Sequence, residues 1–130
     1  MKKVLLADDK ASSRELMRTV LESLAFDVSE ASDGVEALNR ARQVQPDLII
    51  LDLQMPGIDG FGVVLQLRRE SQFAHTPVMA LTASAMHGDR ERAIAAGFDS
   101  YVSKPIPLMK LREEIGRLLE NGRAARAAAE

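Results

Sequence analysis

Residues 48–60 read Leu48-Ile49-Ile50-Leu51-Asp52-Leu53-Gln54-Met55-Pro56-Gly57-Ile58-Asp59-Gly60. Four consecutive apolar residues without polar alternation describe a strand covered on both faces, the environment of a parallel sheet. The run ends on a carboxylate and passes into Pro56-Gly57 and Asp59-Gly60, which mark a loop. Val4-Leu5-Leu6-Ala7 and Val78-Met79-Ala80-Leu81 have the same character, and weaker strand-like runs lie at Asp27 to Ala31 and at Tyr101-Val102.

The stretches between the runs have helical spacing. Leu16, Met17, Val20, Leu21 and Leu24 fall on one face of the first, and Leu108, Leu111, Ile115, Leu118 and Leu119 on one face of the last. Ser12 with Glu15, and Asp33 with Glu36, have the capping-box spacing and predict helix starts. Pro46, Pro77 and Gly97 punctuate the entries into later strands. Five alternating strand–helix units require crossover connections, hence a doubly wound parallel sheet with helices on both sides. Gly122 suits the position just beyond a helix, so the last helix is expected to stop near Asn121. Residues 1–121 then form one domain, with 122–130 as a flexible tail or the start of a linker. Met1 stands directly before the first strand and reads as a natural start.

The bulk properties narrow the classes. The 130 residues suffice for one domain with a single core. The chain has no cysteine, which excludes disulfides and thiolate metal sites and is compatible with a reducing compartment. A net charge of -2, with 28% charged residues of both signs interleaved, provides no basic field for nucleic acid. The two aspartates after Ala7 cut the N-terminal apolar stretch too short for a signal segment or a membrane span. A soluble cytoplasmic protein is expected.

The chemistry gathers where the strands end. In an open parallel sheet the C-terminal strand ends line one edge, and ligands bind in the crevice outside it. Four of the runs end there on polar residues: Asp8 and Asp9, Asp52, Thr82, and Lys104. Adjacent carboxylates repel unless a cation lies between them, and a hard cation with oxygen ligands such as Mg²⁺ resolves the repulsion; the bland alternative is a solvated turn. Asp52 ends the most hydrophobic strand, where an ionised carboxylate is expensive unless exposed at the edge for a purpose. Shielded by a cation, it can attack an electrophilic phosphorus and form an acyl phosphate. The Thr82 hydroxyl can donate to a phosphoryl oxygen, although threonine also suits a strand on structural grounds. Lys104 precedes Pro105, and a cis bond there would aim the lysine back over the sheet edge. Its ammonium would balance an attached phosphoryl group.

The set Asp8-Asp9, Asp52 to Gly60, Thr82-Ala83, and Tyr101 to Lys104-Pro105 resembles the receiver domain of two-component response regulators, over residues 3 to about 120 and in the right order. His75 to Pro107 is most similar to stand-alone regulators and to receivers of hybrid histidine kinases. The resemblance implies a flavodoxin-like (βα)5 three-layer sandwich with strand order 2-1-3-4-5. It implies that Asp52 accepts a phosphoryl group from a phosphohistidine on a sensor kinase or phosphotransfer protein. Mg²⁺ would be held by Asp9, Asp52 and the Gln54 backbone carbonyl, with Asp8 acting through water. Thr82, the Ala83 amide and Lys104 would bind phosphoryl oxygens, and Tyr101 would be an aromatic switch on a surface of the fourth helix, fifth strand and fifth helix that meets a downstream protein. The module would catalyse only its own phosphorylation and dephosphorylation. Lys10 departs from the short polar residue often seen in the family after the acidic pair, and the resemblance implies that Gln54 and Ser84 occupy positions that in such domains face the incoming or leaving water.

Two other classes compete. A haloacid-dehalogenase-like phosphatase also uses a strand-end aspartate and Mg²⁺, but it needs a second aspartate two residues on as general acid, and Gln54 stands there. A nucleotide or flavin binder on the same kind of sheet is disfavoured because aspartates follow the first strand where a glycine-rich phosphate loop would be required.

Overall fold

The computed structural model describes residues 1–83 and 88–122. Its elements are β1 (Lys3–Ala7), α1 (Ala11–Ser23), β2 (Asp27–Ala31), α2 (Gly34–Val44), β3 (Leu48–Asp52), α3 (Gly60–Arg69), β4 (Val78–Thr82), α4 (Asp89–Ala96), β5 (Ser100–Ser103) and α5 (Leu108–Arg117), with a 3-10 turn at Ser71–Phe73. The five strands form one sheet in the order β2-β1-β3-β4-β5, and every neighbouring pair is parallel. This is the doubly wound, flavodoxin-like sandwich expected from the sequence.

Strand pleating sends successive residues to opposite faces, and two cores result. Leu5, Ala7, Ile49, Leu51, Val78 and Ala80 pack with Ala37, Leu38, Val63, Val64, Leu67 and Ala93, so α2, α3 and α4 cover that face. Val4, Leu6, Leu48, Ile50, Met79 and Leu81 pack with Leu21, Leu111, Ile115 and Leu118, so α1 and α5 cover the other. Arg68 of α3 ties the lower loops together, donating to the carbonyls of Phe73, Thr76 and Gly97 and to the Asp99 carboxylate.

The helix starts divide. Asp33 caps α2 through the Glu36 amide at 2.8 Å, while the Glu36 carboxylate reaches back to the Ser32 amide at 3.0 Å. Ser12 does not cap α1. Lys10 is the N-cap residue and makes no side-chain cap. The Asp8 carboxylate accepts the Lys10 amide at 3.0 Å, and this turn starts the helix two residues earlier than the capping-box spacing implied. At the other end, regular α5 gives way after Arg117 to a π turn over Leu118–Gly122, so Gly122 belongs to the last turn instead of lying beyond it. Residues 123–130, most of the expected tail, lie outside the described residues, as does Ser84. No helix among the described residues is long and apolar enough to cross a membrane.

Candidate functional site

Parallel registration sets the strand ends level. Ala7 lies beside Leu51, Asp52 beside Leu81, and Thr82 beside Ser103. Asp8 and Lys104 each follow directly on a strand, so they join Asp52 and Thr82 at the same edge. Carboxylate oxygens of Asp8, Asp9 and Asp52 all lie within 4.8 Å of one another. Asp9 is exposed, whereas Asp8 and Asp52 are only 2% and 6% exposed. The expectation that Asp52 would be exposed at the edge is therefore not met. Its burial is tolerated because the charge is paired: the Lys104 ammonium donates to Asp52 Oδ2 at 2.9 Å and the Gln54 amide to Asp52 Oδ1 at 2.9 Å.

Lys104 bridges the two buried carboxylates. Its Nζ also donates to Asp8 Oδ2 at 2.9 Å and to the Ser13 hydroxyl at 3.0 Å. The Lys104–Pro105 peptide is cis, and the Lys104 amide donates to the Thr82 carbonyl at 2.7 Å, which anchors the lysine backbone to the end of β4. Burial works to raise the Asp8 pKa, but hydrogen bonds from Lys104, the Lys10 amide and Ser13 together hold it below the usual carboxylate value. Burial likewise works against the Lys104 charge, and the hydrogen bonds to Asp8 and Asp52 overcome it, raising the ammonium pKa. The loop after β3 closes tightly over this edge. Gly60 donates its amide to the Leu53 carbonyl, and a Cβ at Gly60 would stand 2.7 Å from the Asp52 carbonyl oxygen, so only glycine fits.

The other predicted positions divide between the edge and the sheet face below it. Thr82 ends β4 and is 1% exposed; Ala83 follows it and is exposed. Tyr101, beside Ala80 in the register, is half-buried against the α2–α4 core. Its hydroxyl is buried without a hydrogen-bond partner among the described residues, and burial, then the Asp89 carboxylate, raises its pKa. Two neighbours of the site escaped the sequence reading. Ser13 lies beyond the supposed cap at Ser12, and its only signal was its place one helical turn after the acidic pair. Arg14 donates to the Asp8 carbonyl at 2.7 Å and to Glu30 of β2 at 3.1 Å, a long-range partner that no local spacing announces.

An edge with three clustered carboxylates and one ammonium suits a divalent cation and an anionic group together. Over residues 4–116 the chain matches the family model described as the response regulator receiver domain. The chain belongs to that family. It is 37% identical over 114 residues to the polar-differentiation response regulator DivK of Brucella anthropi, covering 88% of this chain and 93% of that one. Among solved structures, the chemotaxis protein CheY4 of Vibrio cholerae superposes with a TM-score of 0.85 at 33% identity, covering 90% of this chain and 98% of that chain. The receiver domain of the sensor histidine kinase PA1611 from Pseudomonas aeruginosa superposes with a TM-score of 0.80 at 29% identity, covering 95% and 98%, and that structure is described with a magnesium ion coordinated in its active-site cleft. This receiver is accordingly a phosphoacceptor signalling domain of two-component systems, and neither the family match nor these relatives support the phosphatase alternative.

Proposed function

We propose that Asp52 is the phosphoacceptor of this receiver and that Lys104, Thr82 and the Ala83 amide bind the transferred group. The observation that carries the reading is the single ammonium of Lys104 placed 2.9 Å from both Asp8 and Asp52 at the sheet edge. An Asp52 carboxylate oxygen attacks the phosphorus of a partner phosphohistidine; the O–P bond forms as the P–N bond breaks, the bonding pair stays on nitrogen, and the ring leaves as neutral imidazole, keeping the proton already on its other nitrogen. Lys104 then shifts its charge from the Asp52 carboxylate to a phosphoryl oxygen. Thr82, at the adjacent strand end, turns its hydroxyl to a second oxygen.

The donor set fits a divalent cation, because three carboxylates lie within 4.8 Å of one another and the Lys104 ammonium pairs with two of them, Asp8 and Asp52. Asp9, Asp52 and the Gln54 carbonyl would hold Mg²⁺, with Asp8 acting through water. When bound, Mg²⁺ supplies neutralisation of phosphoryl charge as transfer proceeds. The residues of the site catalyse only the domain's own phosphorylation and dephosphorylation.

The switched surface is α4, β5 and α5, with Tyr101 moving inward as Thr82 engages the phosphoryl group. Upstream partners are a sensor histidine kinase or a phosphotransfer protein, the downstream partner is a protein, and the setting is the cytoplasm. Residues 1–121 form the receiver, with 122–130 as tail or linker. The test is intact-mass measurement after incubation with a small phosphodonor such as acetyl phosphate. One phosphoryl group is expected in the presence of Mg²⁺ and none in EDTA. Labelling that survives Asp52→Asn would sink the assignment.

A further inference from the structure

Ser13 stands outside the acceptor set, yet it completes the coordination of the charged group on which the site depends. A lysine ammonium has three N–H donors and no acceptor. Lys104 spends them on Asp8 Oδ2, Asp52 Oδ2 and the Ser13 hydroxyl, at 2.9, 2.9 and 3.0 Å. The Ser13 hydroxyl accepts from the lysine. Ser13 is half-buried in the first turn of α1, and α1 is fixed to the sheet by Leu21, with Met17 and Val20 packed beside it.

The three acceptors differ in what happens during transfer. The two carboxylates are the groups on which a cation and the incoming phosphorus draw. Ser13 is neutral and lies off that path, so its contact with the ammonium survives when the carboxylate contacts are given up. We infer that Ser13 is a positioning residue: it keeps the Lys104 ammonium at the sheet edge, within reach of a phosphoryl oxygen, after Asp8 and Asp52 are engaged elsewhere. This rests on Asp52 being the phosphoacceptor. Its consequence is specific to the hydroxyl, the polar group through which the serine side chain meets the ammonium.

The test compares wild type, Ser13→Ala and Ser13→Thr, each saturated with Mg²⁺. Alanine favours a helix at least as well as serine, so Ser13→Ala retains the fold. With acetyl phosphate as donor, Ser13→Ala is expected to label Asp52 about tenfold more slowly, the size of one lost hydrogen bond to a charged group, while Ser13→Thr stays within about twofold of wild type. A second readout is independent of transfer. In ¹⁵N-lysine NMR with Mg²⁺ and no phosphodonor, the Lys104 ammonium signal, assigned by its loss in Lys104→Arg, is expected to be protected from exchange in wild type and Ser13→Thr and lost in Ser13→Ala. If wild type itself acquires no label on Asp52, the acceptor assignment fails and the inference goes with it. If wild type is labelled but Ser13→Ala keeps pace, Ser13→Thr is as slow as Ser13→Ala, or the ammonium signal is the same in all three, the role of Ser13 is overturned while the acceptor assignment stands.

Discussion

Replacing Lys104 by methionine probes the balance of charge at the sheet edge directly. The substitution keeps an unbranched stem and deletes the ammonium, leaving Asp8 and Asp52, 2% and 6% exposed, without the cation that bridges them. Removing one partner from a buried ion pair costs about 3–5 kcal/mol, because the remaining charge stays buried and unmatched. Here the lysine side chain is 18% exposed and the edge admits water, so the lower end applies, about 3 kcal/mol. Asp52 keeps the Gln54 amide and Asp8 keeps the Lys10 amide, which also argues against the upper end. Mg²⁺ should reverse much of the loss. The variant offers a divalent cation three carboxylates with no ammonium competing for them, and a ligand at a hundredfold excess over its Kd stabilises the folded state by about 2.7 kcal/mol. Urea unfolding in EDTA and again in saturating Mg²⁺ measures both terms. The expected result is a wide gap between wild type and Lys104→Met in EDTA that narrows with Mg²⁺. A gap in EDTA below about 0.5 kcal/mol, within the range of an ordinary surface substitution, would refute the claim that the ammonium holds the buried carboxylates together. A gap that ignores Mg²⁺ would refute the claim that cation and lysine share the same acceptors.

Two further outcomes follow from neighbouring contacts. Asp9 is the exposed member of the carboxylate cluster, so Asp9→Asn should relieve repulsion and raise stability in EDTA by about 1 kcal/mol while weakening the stabilisation by Mg²⁺, both read from the same urea curves. Arg68→Ala removes the donors to the Phe73, Thr76 and Gly97 carbonyls and to Asp99, and should destabilise by about 3 kcal/mol without altering Mg²⁺ binding measured by calorimetry. A loss below 1 kcal/mol would mean that water replaces those bonds at little cost.

The legible part of this chain is the part written in local pattern. Leu48 to Leu51 announces a strand covered on both faces because its apolar residues run without a break, and both of its faces are indeed buried. The parallel sheet and the shared edge of its strand ends follow from crossover connections, which is why Asp8, Asp52, Thr82 and Lys104 could be brought to one edge from the sequence; the strand order came only with the family resemblance. Charge balance across elements was not legible. Asp52 looked exposed because nothing near it in sequence compensates its charge; the compensating Lys104 is 52 residues away. Ser12 looked like a cap because spacing is local, whereas the carboxylate of Asp8, which actually sets the turn, is committed at the same time to Lys104, 96 residues on.

The pleat also divides the site in a way that bears on switching. Asp52 follows Leu51 and shares the face of Ile50, under α1 and α5, and the Ser13 contact to Lys104 comes from the same side. Thr82 shares the face of Ala80, under α3 and α4, and Tyr101 packs into that second core. If Asp52 accepts the phosphoryl group, acceptance and the inward movement proposed for Tyr101 lie on opposite faces of one sheet, separated by the buried strands β3 and β4. Interiors packed this closely do not deform continuously, so a signal carried through the strands would have to move them. The edge offers a shorter route. There the Lys104 amide bonds the Thr82 carbonyl at 2.7 Å, and a phosphoryl group on Asp52 would stand beyond the strand ends, where side chains from both faces can reach it. On this geometry a phosphoryl group on Asp52 would draw Lys104 and Thr82 toward the same point from opposite faces, and the space Thr82 gave up would lie on the face where Tyr101, whose hydroxyl is buried with no hydrogen-bond partner among the described residues, is already packed.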